Sequence, residues 1–288
     1  MTPAAITDEI NIDVDHALDV MAEYGVRHAE LREVYDRNIS AVDEAGVERI
    51  KRATGDRGVT VVCLASPFYK TDLPGFDHAG SSTGPLHGAV ALAFDEQIAM
   101  LRRLIRIADQ LGTKIIRTFA FWRHGDQTEQ IEDAIVEAYR EPVRIAADAG
   151  VVLAIENEPS CYAGTGREVA RIVERVGSRA LRAVWDPANV IYGGQFADRG
   201  EYDSVRPFTA HVHFKDAGRY AAGKPKCVLA GEGMVNWTEQ FRWLTEDGYK
   251  GFVSLETHTI EGGKELASRQ CLGTLTRLLE QTQRGGSS

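Results

Sequence analysis

The segment VVLAIENEP at residues 151–159 is the first of four similar stretches that decide the fold of this chain. Each stretch is an apolar run of strand length that ends in an acidic or imidazole side chain, which is the pattern of a short buried strand. The other three read LRAVWDPAN at residues 181–189, TAHVHFKDA at residues 209–217 and GFVSLETH at residues 251–258. The spacings of 30, 27 and 43 residues between the polar positions fit one strand and one helix per repeat. These polar positions are Glu156, Asp186, His213 and Glu256.

The N-terminal half of the chain repeats the same alternation of strand and helix. Strands are predicted near residues 4–6 and in HAELREV, GVTVVCLAS and TKIIRTFAF, at residues 28–34, 58–66 and 113–121. Amphipathic helical patterns separate the strands, and Pro142 is expected to kink or break one of these helices. A long polar loop is predicted at residues 67–86.

Strands that alternate with helices imply right-handed crossovers and a parallel sheet, so this pattern predicts a (β/α)8 TIM barrel. An open doubly wound sheet is the rival architecture. Against it, no GxGxxG follows the first strand, and the polar strand ends are spread over many units. No linker rich in Pro, Gly or Ser divides the chain, so a single domain is predicted over residues 1–284, with a disordered tail at 285–288.

The composition argues against several classes of partner. The 288 residues carry a formal charge of −9, which disfavours binding to the phosphate backbone of a nucleic acid. No apolar run reaches the length of a membrane span, and the first ten residues lack the basic and apolar regions of a secretory leader. The four cysteines show no CxxC pairing and are predicted to be reduced, which favours a cytoplasmic protein. They are Cys63, Cys161, Cys227 and Cys271.

The four strand-end residues have the chemistry of a metal site. Three carboxylates and one imidazole are hard oxygen and nitrogen donors, which suit an octahedral divalent cation better than thiolates would. The carboxyl ends of parallel barrel strands meet at one mouth, where TIM barrels carry their active sites. The sequence therefore predicts that these side chains converge on one site.

The motifs IENEP, WDPAN, HVHFKD and SLE, in that order, resemble the metal-binding pattern of the sugar isomerase/epimerase superfamily of xylose isomerase-like TIM barrels. This superfamily includes ketose 3-epimerases, inosose dehydratases, hydroxypyruvate isomerases and, more distantly, endonuclease IV. The resemblance extends over nearly the whole chain. It implies one divalent ion, with Mn as the first choice and Mg, Co or Zn as alternatives. The ligands it implies are Glu156, Asp186, His213 (rather than His211) and Glu256.

Further polar residues are predicted to bind substrate. His211 lies one layer below the ligand histidine on the same strand face, where it is expected to contact substrate or orient a ligand. Arg117 is a charge inside a buried run and needs compensation, and Glu30 is a similar case. The resemblance places Arg219 where ketose 3-epimerases have a substrate-binding arginine, and Asn189 where some relatives have histidine. The predicted substrate-binding set is Glu158, Asn189, His211, Lys215, Arg219 and Arg117.

The resemblance implies a metal-dependent isomerase or epimerase that acts on a keto-sugar or a related polyol. Glu156 and Glu256 are then the catalytic groups, which remove and return a proton next to a carbonyl through a metal-stabilised enediolate. A dehydratase of the inosose dehydratase kind would use the same residues and release water. A catalytic subunit that acts on a keto-glycoside with a companion protein is a further alternative, and the sequence leaves a homo-oligomer open.

Other classes also remain open from the residues alone. A metal-free glycosidase could use Glu156 and Glu256 as its carboxylate pair. An abasic-site endonuclease would need additional histidines and a basic groove, and a non-catalytic sugar-binding subunit would need only the pocket. The Gly-rich AGEGMVNW at residues 230–237 is interpreted as a structural turn, because Glu232 would repel a phosphate.

Overall fold

A closed barrel of eight parallel strands forms the centre of the computed structural model, which describes residues 1–76, 93–219, 223, 225–259 and 262–285. Neighbours in the barrel follow chain order, and the first strand closes the barrel by pairing with the last. The predicted TIM barrel is thereby confirmed. The strands are β1 Thr2–Ile6, β2 His28–Leu31, β3 Thr60–Phe68, β4 Ile115–Thr118, β5 Val152–Glu156, β6 Leu181–Trp185, β7 Thr209–Phe214 and β8 Phe252–Leu255.

Helices connect the strands and surround the barrel. The α-helices of the described segments are Thr7–Ile10, Val14–Glu23, Glu44–Asp56, Phe94–Leu111, Glu129–Asp148, Gly166–Val176, Pro187–Tyr192, Arg199–Val205, Trp237–Glu246 and Lys264–Gly285. Two short 3-10 helices are Ile39–Ala41 and Arg206–Phe208. Two small antiparallel hairpins pair Glu33–Val34 with Arg37–Asn38 and Asp216–Arg219 with Pro225–Val228.

The break expected at Pro142 is wrong, because helix Glu129–Asp148 continues through the proline. A proline removes one backbone hydrogen bond from a helix interior. Here the ring is buried, and Tyr139 and Val143 on the same helix are also buried against the barrel. We attribute the continuity of the helix to this burial of apolar surface, which offsets the lost hydrogen bond.

Alternate side chains along each strand face either the barrel lumen or the surrounding helices, because residues two apart on a strand face the same side. On β7, His211 and His213 both face the barrel lumen, where they meet Glu30 of β2. On β6, Trp185 faces the surrounding helices, and its indole N–H donates to Oε1 of Gln240 at 3.0 Å. Most of the apolar core thus lies between barrel and helices, with a small separate cluster at Ala4, Val62 and Cys63, and polar groups occupy the lumen around Glu30 and the two histidines.

Two of the predicted segments lie partly outside the described residues. Residues 77–86 of the predicted polar loop lie outside the described residues, as do residues 286–288 of the predicted tail. In the described part of the chain, no helix has both the length and the apolar character needed to cross a membrane.

Candidate metal centre

The carboxyl ends of β5 to β8 bring four buried side chains together. Glu156 and Glu256 are each 2% exposed, and Asp186 and His213 are fully buried. One oxygen or nitrogen atom from each of the four lies within 4.8 Å of the corresponding atoms of the others. The convergence predicted from the strand ends is therefore present in the folded chain.

The imidazole of His213 faces these carboxylates with one nitrogen. Its Nδ1 lies 3.4 Å from Oε1 of Glu156 and 3.5 Å from Oε2 of Glu256, and it has no hydrogen-bond partner within the described chain. Burial lowers the pKa of His213, but the carboxylates of Glu30 and Glu156 raise it more, to well above its ordinary value. A cation at Nδ1, whether a proton or a metal ion, is therefore strongly favoured.

Glu30 holds the other side of the same ring. Its Oε1 lies 3.2 Å from Nε2 of His213, and its Oε2 lies 2.8 Å from Nε2 of His211. Burial raises the pKa of Glu30, but the two imidazoles lower it to well below its ordinary range, so the carboxylate is ionised and accepts both hydrogen bonds. His211 thus contacts Glu30, the residue that also holds the candidate ligand His213.

Lys215 is the cation nearest to the two ligand candidates from β6 and β8. Its Nζ donates to Oε2 of Glu256 at 2.8 Å and lies 2.8 Å from Oδ2 of Asp186, outside hydrogen-bond geometry for the latter. Burial lowers the pKa of Lys215, but these carboxylates raise it to well above its ordinary value. Lys215 therefore carries a buried positive charge at the centre of the site.

Arg117 and Asn189 both contact Glu156. Nη1 of Arg117 donates to Oε2 of Glu156 at 3.0 Å, and Nδ2 of Asn189 donates to Oε1 at 3.0 Å. Burial raises the pKa of Glu156, but Arg117 and His213 lower it, to about 2. The backbone N–H of Asn189 also donates to Oδ1 of Asp186, which caps helix Pro187–Tyr192. Asn189 thus fixes two of the four candidate ligands at once.

Residues after β1, β2 and β8 form a neighbouring cluster that the sequence reasoning missed. Arg32 donates to Oδ2 of Asp8 at 2.7 Å and to Oε1 of Glu256 at 3.1 Å, and it also hydrogen-bonds to Glu9. His258 lies with its Nε2 3.1 Å from the same Oε1 of Glu256. Arg32 directly follows a strand, so the rule applied to the last four strands could have found it, whereas Asp8, Glu9 and His258 lie two or three residues beyond a strand end.

Glu158, a predicted substrate-binding residue, lies beside this arrangement. Glu158 follows Glu156 by two residues, and its Oε2 accepts a hydrogen bond from Nζ of Lys70 at 3.3 Å. Arg219 is the last residue of the strand Asp216–Arg219, and its side chain lies outside the described part of the structure. The structure therefore brings Glu158, Asn189, Lys215 and Arg117 to the site, with His211 below it.

The donor set fits one divalent cation. Its atoms are three carboxylates and the unpartnered Nδ1 of a buried imidazole, which suit Mn, Mg, Co or Zn. The four candidate ligands include three carboxylates, and a divalent ion among them would offset part of that negative charge.

The Gly-rich segment at residues 230–237 serves as a turn held by Asp216. The buried carboxylate of Asp216 accepts hydrogen bonds from the backbone N–H groups of Gly231 at 2.9 Å, Gly233 at 3.1 Å and Val235 at 3.0 Å. These donors are therefore used inside the protein, which agrees with the structural interpretation of the segment.

Sequence comparison identifies the family of this barrel. The profile of the xylose isomerase-like TIM barrel family matches residues 18–277. The chain belongs to this family. A human protein provisionally named a hydroxypyruvate isomerase is 26% identical over 232 residues, which is 75% of this chain and 77% of the human one. An uncharacterized protein of Methanocaldococcus jannaschii is 29% identical over 140 residues, and that match covers 47% of each chain.

Solved structures with the same fold superpose over nearly the whole chain. The probable 3-DHS dehydratase AsbF of Bacillus anthracis has a TM-score of 0.73 at 19% identity and covers 96% of this chain and 99% of its own. The IolI protein with a bound zinc atom has a TM-score of 0.77 at 17% identity and covers 98% and 99%. An L-ribulose 3-epimerase has a TM-score of 0.73 at 16% identity and covers 100% and 97%. At these identities, the likeness shows the fold.

Proposed function

We propose that this xylose isomerase-like barrel is a divalent-metal-dependent isomerase or epimerase that acts on a keto-sugar or a related polyol. The observation that carries the proposal is the set of four buried ligand atoms within 4.8 Å of one another. The names of the human hydroxypyruvate isomerase and of the L-ribulose 3-epimerase support the reaction class. Glu156, Asp186, His213 and Glu256 are the proposed ligands.

The proposed chemistry is proton transfer next to a carbonyl. A bound divalent ion, with Mn as the first choice and Mg, Co or Zn as alternatives, would polarise that carbonyl and make the neighbouring C–H more acidic. Glu156 and Glu256 enter the site from β5 and β8, and each has an oxygen within 3.5 Å of Nδ1 of His213. Either carboxylate can take a proton from carbon and return it. Donation of a proton to the opposite face by the other carboxylate inverts the centre, and return of the proton to the adjacent carbon by the same carboxylate isomerises the sugar.

The basic and amide groups around these carboxylates are the proposed substrate contacts. Lys215 has a buried ammonium 2.8 Å from two ligand carboxylates, where it can also stabilise negative charge on a substrate oxygen. Arg117 and Asn189 fix Glu156 from two sides and so hold the carboxylate in one position. Glu158, His211 and Arg219 complete the proposed set.

A small-molecule substrate and a cytoplasmic location follow from the same proposal. The four cysteines are free, and three of them are buried, as expected for a reducing compartment. The charge of −9 leaves nucleic acid an unfavourable partner. A homo-oligomer or a companion subunit remains compatible with the barrel.

The decisive experiment is hydrogen exchange at carbon in D2O, followed by NMR on a panel of neutral keto-sugars. Metal-loaded protein should exchange the proton next to the carbonyl, EDTA should abolish the exchange, and Mn²⁺ should restore it. If carbon exchange continues unchanged in the presence of EDTA, the proposal is wrong.

The variant Glu156→Gln tests the two proposed roles of Glu156, as base and as metal ligand, together. Glutamine keeps the size of the side chain and can still accept from Arg117, but it cannot take a proton from carbon. We expect the fold to be kept and the exchange to be lost, and unchanged exchange would remove Glu156 as the base. A product lighter by one water in the mass spectrum would assign the site to the dehydratase alternative instead.

A further inference from the structure

A buried ion pair outside the proposed ligand set borders the site. The ammonium of Lys70 is 5% exposed at the residue level and donates to Oε2 of Glu158 at 3.3 Å. It also lies 4.3 Å from the ring centre of Phe119 and 5.6 Å from that of Trp122. The four residues come from the loops after β3, β4 and β5, so they share one side of the barrel mouth.

The backbone fixes these loops to one another. Tyr69 has a φ of 62° and Phe121 a φ of 60°, a conformation that costs side-chain-bearing residues energy. Each of them directly precedes a member of the cluster, Lys70 or Trp122. Backbone hydrogen bonds continue past the strands, from Phe121 to Tyr69 at 3.1 Å and from Trp122 to Thr71 at 2.8 Å. The ion pair therefore sits on a rigid support.

Among the described residues, the ammonium of Lys70 has fewer hydrogen-bond acceptors around it than it has N–H donors. An ammonium has three donors, yet among the described residues Glu158 is its one hydrogen-bond partner. Burial of a charge with so little compensation is unfavourable for stability alone. Glu158 can also accept further hydrogen bonds. From the described residues its Oε2 receives only this long hydrogen bond, and its Oε1 receives the backbone N–H of Ser160 at 3.1 Å.

A hydroxyl group matches this pair. Its oxygen can accept from the Lys70 ammonium while its hydrogen is donated to Oε2 of Glu158. A carboxylate or phosphate has no hydrogen to donate at neutral pH and would be repelled by Glu158, while a cationic group would be repelled by Lys70. The Cα atoms of Glu156 and Glu158, two residues apart, are separated by at most about 7 Å, a span that a six-carbon sugar covers more fully than a three-carbon hydroxyketone.

We propose that Lys70 and Glu158 form a subsite for a hydroxyl group on the part of the substrate farthest from the metal, so that the site selects uncharged sugars or polyols over their phosphorylated or carboxylated forms. This inference rests on the proposed function for the location of the reacting carbonyl. It adds a residue, Lys70, and a chemical class of substrate.

The test is equilibrium binding to the full-length, Mn²⁺-loaded protein by isothermal titration calorimetry. The probes are the four 2-ketohexoses, their 6-phosphates and dihydroxyacetone, a short hydroxyketone with the same carbonyl. At least one neutral ketohexose should bind about ten- to a hundredfold more tightly than its 6-phosphate and than dihydroxyacetone, which is the scale of hydrogen bonds to charged groups. Lys70→Met and Glu158→Gln should each abolish that advantage and leave dihydroxyacetone unchanged.

Lys51→Met, on an exposed helix face, is the matched control and should behave as the parent protein. Tighter binding of the 6-phosphates, no ketohexose stronger than dihydroxyacetone, or full affinity in both variants would each overturn the subsite. Carbon exchange in D2O on the same samples keeps the two proposals distinct. Absence of exchange with all probes would end the isomerase proposal, while the binding preference would still decide the subsite.

Discussion

Glu30 accepts a hydrogen bond from Nε2 of His213 at 3.2 Å, on the side of the ring opposite to the candidate metal ligands Glu156 and Glu256. This contact keeps a hydrogen on Nε2 and directs the lone pair of Nδ1 toward the proposed metal position. A carboxylate in such a place fixes the orientation of a ligand histidine and increases its basicity.

Glu30→Gln should therefore weaken metal binding while the barrel stays folded. Removal of such a carboxylate generally costs ten- to a hundredfold in metal affinity, and we expect a loss of about that size. Calorimetric titration with Mn²⁺ or Zn²⁺ measures the affinity, and circular dichroism checks the fold. Glu48→Gln on an exposed helix face is the control and should leave affinity unchanged. Equal affinities in the two variants would show that Glu30 does not act on the metal through His213.

Metal binding should stabilise the folded chain, because the four ligands come together only in the barrel. A ligand present at a hundred times its dissociation constant adds about 2.7 kcal/mol to the free energy of unfolding. Denaturant unfolding with Mn²⁺ and with EDTA should show a difference of that order. Asp186→Asn should remove the difference, whereas Asp148→Asn on the surface should preserve it. A metal-independent midpoint in the parent protein would contradict the assignment.

Asp216→Asn should destabilise the turn at residues 230–237. The amide can replace only one carboxylate oxygen as acceptor, and its NH2 group would face backbone N–H donors such as that of Gly233. We expect a loss of about 3 kcal/mol in the free energy of unfolding, measured with urea. Asp203→Asn, on an exposed helix, should change it by less than about 0.5 kcal/mol. A similar small effect at both positions would show that the turn is held by other contacts.

Two helical glycines should respond in opposite ways to alanine. A Cβ at Gly166 would lie 2.5 Å from the carbonyl oxygen of Glu201 and 3.1 Å from the ring of Trp185, whereas a Cβ at Gly55 would meet nothing within 4 Å. Gly166→Ala should cost about 2 kcal/mol or more through overpacking, and Gly55→Ala should gain about 0.5–1 kcal/mol through helix propensity. Thermal unfolding of both variants gives the comparison, and the same sign for both would refute it.

The barrel and the convergence of four side chains could be read from the sequence because both depend on short-range pattern. An apolar run predicts a strand, its end marks a position at the mouth, and alternation with helices predicts parallel neighbours. His211 and His213 could be assigned to one face because side chains two apart on a strand share a face. The ligand role of the four residues itself stays a proposal.

The contacts of Arg32 and Lys70 could not be read in this way. Arg32 meets Glu256, 224 residues further along the chain, and Lys70 meets Glu158, 88 residues further. The sequence shows that each follows a strand, but the direction of each side chain depends on loop conformations such as the positive φ at Tyr69. Pro142 illustrates the same limit. Proline disfavours the interior of a helix, but burial of the surrounding helix outweighs that local preference.

The position of Glu256 along the chain has a consequence for biosynthesis. It follows β8, the last strand, which pairs with β1 to close the barrel. A growing chain that has made only the first seven strands holds three of the four proposed ligands and an open sheet. The complete donor set therefore becomes available only once β8 has been synthesised, so an ion held by all four proposed ligands would require the closed barrel.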